Sequence, residues 1–532
     1  MSDKNVKIAQ STAAIIIFSL LGKILGFARE SLQAAKFGAT YEASAFVLAQ
    51  GATGMISTLI TTAIATTFIP VIQRAENEMG PKYKVRYTNN LIFISILITL
   101  ILTILSIFLS PYIAMLTASR AKPETYQLVV KLVEVGMPVI IFSAIVGIFT
   151  GFLQYGGRFA AASAIAIPMN IVYIIYLSFF SETFGIVGLT VASVLAVVAQ
   201  IFILLPDSCR LGYRPKFVLD FKDHYVKEAL ILAMPVLISA SVNDINVIVN
   251  RNIASGLSDQ AAAILNVANK MNLLILGIFI TAITAIIFPM MTKAFSKGDT
   301  LQGKRVMSTS IKSVLYLTVP ASIGLLILAR PLIEIAFVHG KFTYENGLEA
   351  TSTLRCYTLS LISMSLSNVL NRVFYSLEDT KTPFIIGAIN VAINVTLNIL
   401  VAHKFGVQGL ALSVSIATTI AVIVSYIKLY KKIGPLGGRG YLRAIIKTLI
   451  SSLAMGFVAY VYFPLEMILM AKVSTSSVLL ISKLLVLILV VAVALAVYLS
   501  CMYLLGVREI KGLASYADGK IKAFKEKKTN RI

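Results

Sequence analysis

Tryptophan is absent from this chain of 532 residues, and cysteine and histidine occur only three times each. Cys209, Cys356 and Cys501 are scattered without a CxxC pair, which excludes a disulfide framework and a thiolate metal site. Three histidines are too few to suggest a zinc or haem centre. Charge is scarce as well. Only 13% of residues are charged, against about 25% in an average soluble domain. No Ser-His-Asp set and no phosphate-cradling glycine loop stands out, so neither bond chemistry nor ATP hydrolysis is expected. The polar stretch Met1–Gln10 runs into an apolar segment without a small-residue cleavage site, so no cleaved leader is expected.

What the chain has instead is apolar length. It is 58% hydrophobic with a mean hydropathy of +0.86, more apolar surface than a soluble fold can hide. The solvent must therefore be lipid. The runs are long and rich in Leu, Ile, Val and Ala, unlike the short alternating segments of a membrane β-barrel. The expected fold class is an all-α membrane protein with about 14 transmembrane helices. The runs lie at 11–28, 43–72, 90–116, 126–154, 160–180, 185–205, 226–254, 260–292, 306–329, 348–377, 383–402, 407–430, 442–463 and 478–505.

The net charge of +23 would point to nucleic acid in a soluble protein. Here the cations sit in alternate loops, so no nucleic-acid partner is expected. Arg74, Lys82, Lys84 and Arg86 follow the second run, and Arg210, Arg214, Lys216 and Lys222 follow the sixth. Lys293, Lys297, Lys304 and Arg305 follow the eighth, and Lys428, Lys431, Lys432 and Arg439 the twelfth. The tail adds a further basic cluster. Loops after odd-numbered runs are poor in Lys and Arg, so the positive-inside rule predicts a multi-pass inner-membrane protein with both termini in the cytoplasm. The basic tail would serve topology and attraction to anionic membrane lipids.

Three landmarks recur in order. Pro70 and Pro289 lie 219 residues apart, and Arg158 and Lys381 lie 223 apart. The stretch Phe184-Gly185-Ile186-Val187-Gly188-Leu189 returns 221 residues later as Phe405-Gly406-Val407-Gln408-Gly409-Leu410. A duplicated six-helix unit follows, giving two parallel six-helix lobes at 1–222 and 223–435. Two extra helices at 436–505 and a basic cytoplasmic tail at 506–532 complete the chain. Parallel repeats related by an axis along the membrane normal suit a transporter that rocks about a central site.

Charges inside apolar runs cost roughly 2.5–3.5 kcal/mol each on insertion scales, so they mark the lining of a cavity. Lys23, Arg29 and Glu30 lie in the first run, Asp244 and Arg251 in the seventh, Lys270 in the eighth, and Arg355 and Arg372 in the tenth. Snorkelling or an interfacial pair is the alternative use for Lys23, Arg29, Arg251 and Arg372. Lys131 and Glu134, one turn apart, read as a local ion pair. The cavity balance is positive, which predicts an anionic substrate held by charge-assisted hydrogen bonds. Asparagines crowd the seventh, eighth, tenth and eleventh runs and bond helices together in membranes. Asp244 with the amide oxygens of Asn250, Asn390 and Asn394 would alternatively form an oxygen cage for Na⁺.

Several stretches carry a resemblance: Gly22-Lys23-Ile24-Leu25-Gly26-Phe27-Ala28-Arg29-Glu30, Phe37-Gly38-Ala39, Gly157-Arg158-Phe159 with Pro168 and Asn170, and Gly340-Lys341-Phe342-Thr343. The most specific is the twelve-residue stretch Arg372–Pro383. Over nearly its whole length the chain resembles the MurJ/MviN family of lipid II flippases, within the multidrug/oligosaccharidyl-lipid/polysaccharide exporter superfamily. That resemblance implies a flippase moving lipid-linked peptidoglycan precursor from the inner to the outer leaflet by alternating access, for cell-wall synthesis. It implies that Lys23, Arg29 and Lys270 hold the diphosphate of a lipid-linked anionic glycan, with Ser44 where the family often has Asp. Lys in place of Arg keeps the charge and loses the bidentate fork. Near Ser57 the family usually has an arginine and this chain has none. Three alternatives stay open: a flippase for another lipid-linked glycan, a drug or cation antiporter of the same superfamily, and a scaffold for cell-wall synthesis proteins. No cofactor is expected; energy would come from Na⁺ or the membrane potential.

Overall fold

A computed structural model describes residues 3–296, 299–436, 438–472, 476–507 and 509–511. Within helices it describes the backbone alone at 3–13, 16, 238–240, 242–244, 278–290, 292, 296, 439 and 476–477. The tail expected to be basic and cytoplasmic lies mostly outside the described residues, as does the side chain of Asp244.

The described residues form helices and no strands. The chain opens with α1 (Asp3–Phe37) and α2 (Tyr41–Met79), then the pair α3 (Tyr83–Phe108) and α4 (Ser110–Ala118). α5 (Pro123–Gly136) and α6 (Val139–Tyr155) form one span bent by 44°. The break falls at Met137-Pro138, because proline supplies no N–H to the turn before it. Next come α7 (Phe159–Ser163), α8 (Ala166–Ile175), a π-turn (Tyr176–Phe180) and α9 (Ser181–Arg210). The second half contains α10 (His224–Ser255), α11 (Ala261–Ser296), α12 (Thr300–Phe337), α13 (Tyr344–Thr358), α14 (Ser360–Ser376) and α15 (Lys381–Ile433). The chain closes with α16 (Gly438–Tyr460), α17 (Tyr462–Lys472) and α18 (Ser476–Leu504).

Seven helical stretches among the described residues are long and apolar enough to cross a bilayer, and the bent α5–α6 pair makes an eighth. Two of them, Phe159–Arg210 and Lys381–Ile433, contain 52 and 53 residues. At about 1.5 Å per residue each is more than twice the roughly 30 Å of a hydrocarbon core. Each is hinged by one glycine outside the helical region: Gly185 at φ 56°, ψ −149°, and Gly406 at φ 56°, ψ −137°. A β-carbon makes positive φ costly, and glycine has none. Three residues on, a β-carbon on Gly188 would fall 2.3 Å from the Tyr176 hydroxyl, and one on Gly409 would fall 2.9 Å from the Val401 carbonyl. The recurring Phe-Gly-x-x-Gly-Leu stretch thus builds a turn of one residue followed by a close return. Counting each hinged stretch as two crossings raises the eight to ten among the described residues, and with α1, α10, α11 and the α13–α14 pair the chain is an all-α membrane protein with about fourteen spans.

The chain packs as two compact units. One contains residues 1–270, 337–353 and 387–413, and the other 271–336, 354–386 and 414–532. In the first, α2 packs on α5, α6 and α10, around a core that includes Phe68, Ile72, Tyr87, Ile94, Ile148 and Leu153. Lys131 and Glu134 do not form the expected local pair, for Glu134 accepts a hydrogen bond from Ser110 at 2.8 Å.

In the second unit, α14 and α15 share a core of Val369, Leu370, Val373, Phe374, Ile386 and Leu429. The Leu377–Pro383 part of the specific stretch is structural. Glu378 turns at φ 59°. Asp379 then accepts from the Thr382 N–H at 2.9 Å and hydroxyl at 2.8 Å, and from Lys432 at 2.6 Å. The amine of Lys432, with the hydrogen bonds from Thr382, holds the Asp379 carboxyl down at about 2. The last helices attach to α12 through a buried charge network. Lys483 lies 2.8 Å from Glu466 and 4.0 Å from Glu334, and Arg330 Nε donates to Glu334 at 2.6 Å. The Lys483 approach is an ion contact off the hydrogen-bonding direction, so charge alone holds that Glu466 oxygen.

Candidate substrate-binding cluster

The Gly22–Glu30 stretch sets the first wall. Residues four and seven apart share a helix face, and α1 matches such a row against α8. A β-carbon on Gly22 would fall 2.8 Å from that of Ala166, and one on Gly26 would fall 3.7 Å from the amide of Asn170. Asn170 donates to the Gly22 carbonyl at 3.1 Å. The next residue in register, Arg29, lies with its guanidinium 4.8 Å from the centre of the Tyr173 ring. The glycines let the helices close, and that closeness delivers the arginine onto an aromatic face, where a desolvated cation–π contact contributes up to about 2 kcal/mol.

Glu30 turns to the neighbouring face. Arg29 Nη2 donates to its Oε1 at 2.5 Å, and Lys270 Nζ of α11 lies 3.2 Å from the same oxygen. One carboxylate thus holds two cations, leaving the trio with a surplus positive charge. The Arg29 and Glu30 side chains are each 13% exposed, while Lys270 is 39% exposed. Arg29 Nε is buried without a hydrogen-bond partner, so the guanidinium retains a donor for an added anion.

Beside the trio lies a small open cavity. Glu30, Gln33 and Ala34 of α1, Val47 of α2, and Ala263 and Asn266 of α11 line it, with Gly38 and neighbours. Lys270 is one turn beyond Asn266 on α11. Ser44 is committed to the scaffold: its hydroxyl accepts from the Ala263 N–H at 3.3 Å, tying α2 to the start of α11. Arg251 donates to the Val47 carbonyl at 2.9 Å, and it fits because Gly51 has no side chain, since a β-carbon there would fall 1.9 Å from Nη1. At the Gly38 end the 338–343 loop folds over α1. Lys341 N–H donates to the Ala35 carbonyl at 2.8 Å, and Ser31 Oγ is 3.3 Å from His339 Nε2.

Arg29, Glu30 and Lys270 therefore meet in one trio. Lys23 shares the face of Glu30 two turns earlier, and is not among the residues lining the cavity. Arg372 is exposed in the second compact unit. Ser57, where no cation occurs, donates to Ser143 at 2.6 Å. The asparagines form a separate cluster in the first unit. Asn398 donates to Asn250 at 2.5 Å and to Asn394 at 2.9 Å, while the amide oxygens of Asn246, Asn390 and Asn398 are buried without hydrogen-bond partners. Such oxygens suit a hard cation. The carboxylate expected to complete that set, Asp244, lies outside the described side chains, and no group of three His, Cys, Asp or Glu fit to hold a metal occurs among the described residues. Sequence reasoning missed Tyr173 and Gln33, and took Asn266 as one of the asparagines that bond helices together. The available signal for Tyr173 was the Ala166/Asn170/Tyr173 row, which repeats the spacing of Gly22/Gly26/Arg29.

Known proteins resemble the chain along most of its length. The family model "Lipid II flippase MurJ" matches residues 33–484. A probable lipid II flippase MurJ of Rhizobium tropici is 28% identical over 504 residues, covering 92% of each chain. One from Vibrio cholerae is 26% identical, covering 79% of this chain and 82% of its own. Among solved structures, a lipid II flippase MurJ in an inward closed conformation superposes with a TM-score of 0.74 at 23% identity, covering 92% of this chain and 99% of its own. An inward-facing multidrug resistance MATE transporter gives 0.66 at 15% identity, over 80% and 98%. Both structures share the fold.

Proposed function

The chain belongs to the MurJ lipid II flippase family, and from that premise we propose that it moves lipid II from the inner to the outer leaflet by alternating access, for peptidoglycan synthesis. The observation that carries the reading is the Glu30 carboxylate shared by Arg29 and Lys270 beside the α1–α2–α11 cavity. A diphosphate entering there meets two cations already oriented on one carboxylate, one of them largely buried. It displaces a carboxylate of its own sign, so the cations exchange one anion for another instead of being stranded. The surplus positive charge disfavours a cationic drug, which separates this reading from the antiporter alternative.

Residues 1–222 and 223–435 act as the two lobes, with both termini cytoplasmic. The first compact unit joins first-lobe helices to residues 223–270, 337–353 and 387–413 of the second lobe. Alternating access needs one end of the inter-lobe space sealed in this way in one of its states. Transport without bond chemistry draws its energy from the membrane potential or from Na⁺. The unpartnered oxygens near Asn250 and Asn394 are the candidate Na⁺ ligands. The substrate-binding set is Arg29, Glu30 and Lys270, with Lys23 on the approach along α1, and Ser44 and Arg251 hold the walls.

The test is complementation of a strain depleted of its lipid II flippase, with lipid II accessibility at the outer leaflet as readout. Arg29→Ala lowers flipping with the protein still inserted, and Arg29→Glu and Lys270→Glu lower it further. Full complementation by both charge reversals at normal expression would overturn the proposal. Rescue of growth without newly accessible lipid II would favour another lipid-linked glycan.

A further inference from the structure

The connector between α9 and α10 has no regular secondary structure over residues 213–220, yet its backbone is fastened at Arg214, Lys216 and Asp220. Asn89 and Asn90, the last residues of α3 before an uncharged apolar run from Leu91 to Phe108, take the place of a neighbouring strand. Asn89 donates to the Arg214 carbonyl at 2.8 Å and accepts from the Lys216 N–H at 3.2 Å. Asn90 donates to the Asp220 carbonyl at 2.9 Å and accepts from the Asp220 N–H at 2.8 Å. Irregular backbone bordering lipid is held where its polar groups are satisfied by protein, and two side-chain amides do that for four backbone groups here. The connector also reaches the level of the apolar run, since Phe217 packs edge-on against Phe93 with ring centres 4.8 Å apart.

Its side chains then divide by position. Phe217, Leu219 and Phe221 are 75%, 43% and 55% exposed, whereas the intervening Val218 and Asp220 are partly buried. Three large apolar groups side by side in water would be unfavourable in proportion to their exposed area, whereas the boundary layer of the bilayer solvates them. The acidic groups are already engaged, Asp220 with Arg86 at 3.4 Å and Asp223 with the Tyr83 hydroxyl at 2.9 Å. Arg214, Lys216 and Lys222 are exposed, and their side chains form no ion pair among the described residues, although the Lys222 backbone N–H donates to Asp220 at 3.0 Å.

We infer that the 213–222 connector is a bilayer-docking strap, with Phe217, Leu219 and Phe221 in the acyl-chain boundary and Arg214, Lys216 and Lys222 binding anionic lipid headgroups. Apolar insertion and headgroup attraction act together, as they do for interfacial segments generally. The inference does not depend on what the protein carries.

Because the chain contains no tryptophan, Phe217→Trp introduces a single indole, and Phe221→Trp provides a second, independent position. Each full-length variant is reconstituted in phosphatidylcholine vesicles with and without phosphatidylglycerol. The expected result is quenching by lipids brominated on their acyl chains and little quenching by aqueous iodide. Energy transfer should favour dansyl-phosphatidylglycerol over dansyl-phosphatidylcholine. That preference should fall roughly fivefold for each cation removed by Arg214→Gln, Lys216→Gln or Lys222→Gln. Iodide quenching without a brominated-lipid effect at both positions would place the connector in water and overturn the docking. Equal transfer to both dansyl lipids in the parent indole variants would overturn the headgroup assignment.

Discussion

Replacing Lys483 by methionine tests what holds the C-terminal helices. Lys483 of α18 lies between Glu466 of α17 and Glu334 of α12, and the side chains are 13%, 6% and 11% exposed. Methionine keeps most of the apolar stem and removes the ammonium. Glu466 would then be an uncompensated carboxylate with almost no solvent, and removing one partner of a buried pair costs about 3–5 kcal/mol. Glu334 would keep Arg330. Removing Arg330 instead, as Arg330→Met, should cost only about 1 kcal/mol, because that side chain is 37% exposed and Glu334 retains Lys483. In the double variant Lys483→Met/Glu466→Gln no unpaired charge remains, and replacing a buried pair by neutral groups is often close to neutral. The coupling between the two sites should therefore recover most of the single-variant loss. Thermal unfolding with a thiol-reactive fluorophore is a suitable assay, because Cys356 and Cys501 are partly buried in the native fold. The expected order of stability is parent, Arg330→Met, double variant close behind, and Lys483→Met well below all three. If Lys483→Met and the double variant unfolded at the same low temperature, the loss would come from packing and the charge argument would be refuted.

Gly51→Ala would place a β-carbon where Arg251 now lies, so about 1–3 kcal/mol of overpacking should appear as a lowered unfolding temperature. Gly54→Ala, whose β-carbon would meet nothing within 4 Å, should leave that temperature unchanged. Tyr173→Leu should impair flipping several-fold by removing the ring beneath Arg29, and Tyr173→Phe should restore it; equal loss in both would assign the effect to the hydroxyl. The Asp379 carboxyl is held below its ordinary value at about 2, so its contribution is present above pH 4 and lost as pH falls through about 2. The stability difference between parent and Asp379→Asn should accordingly stay level from pH 7 to about 4.5 and shrink only in stronger acid; a difference that disappears near pH 6 would show that another group controls it.

The spans were legible because lipid demands uninterrupted apolar length and charge marks the loops. The sites of bending were not. Phe159–Arg210 and Lys381–Ile433 read as two runs each, yet helical geometry continues up to the single hinge residue on both sides. The break at Leu359, between α13 and α14, has no proline or glycine to announce it. In the cluster, Arg29 and Lys270 stood out as cations in apolar surroundings. Glu30 was noticed as Arg29's neighbour, but its second partner is 240 positions away in sequence and became visible only when α1 met α11. Tyr173 gave no compositional signal, since tyrosine in an apolar helix is ordinary. Ser44 was read as a substrate contact from the resemblance, whereas in the structure its hydroxyl meets the backbone of α11.

The one-residue turns at Gly185 and Gly406 bear on how this chain tolerates change. Elsewhere, surface loops absorb insertions because their ends are held by separate helices and their middles touch little. At these two hinges there is no middle: Tyr176 donates its hydroxyl to the Gly185 carbonyl at 2.6 Å, and three residues later the returning helix is already in contact with the outgoing one. An added residue would rotate everything beyond it by about 100° relative to the helix it must pack against. The two sites should therefore reject tags, protease sites and natural length variation, and changes of length in relatives should fall elsewhere.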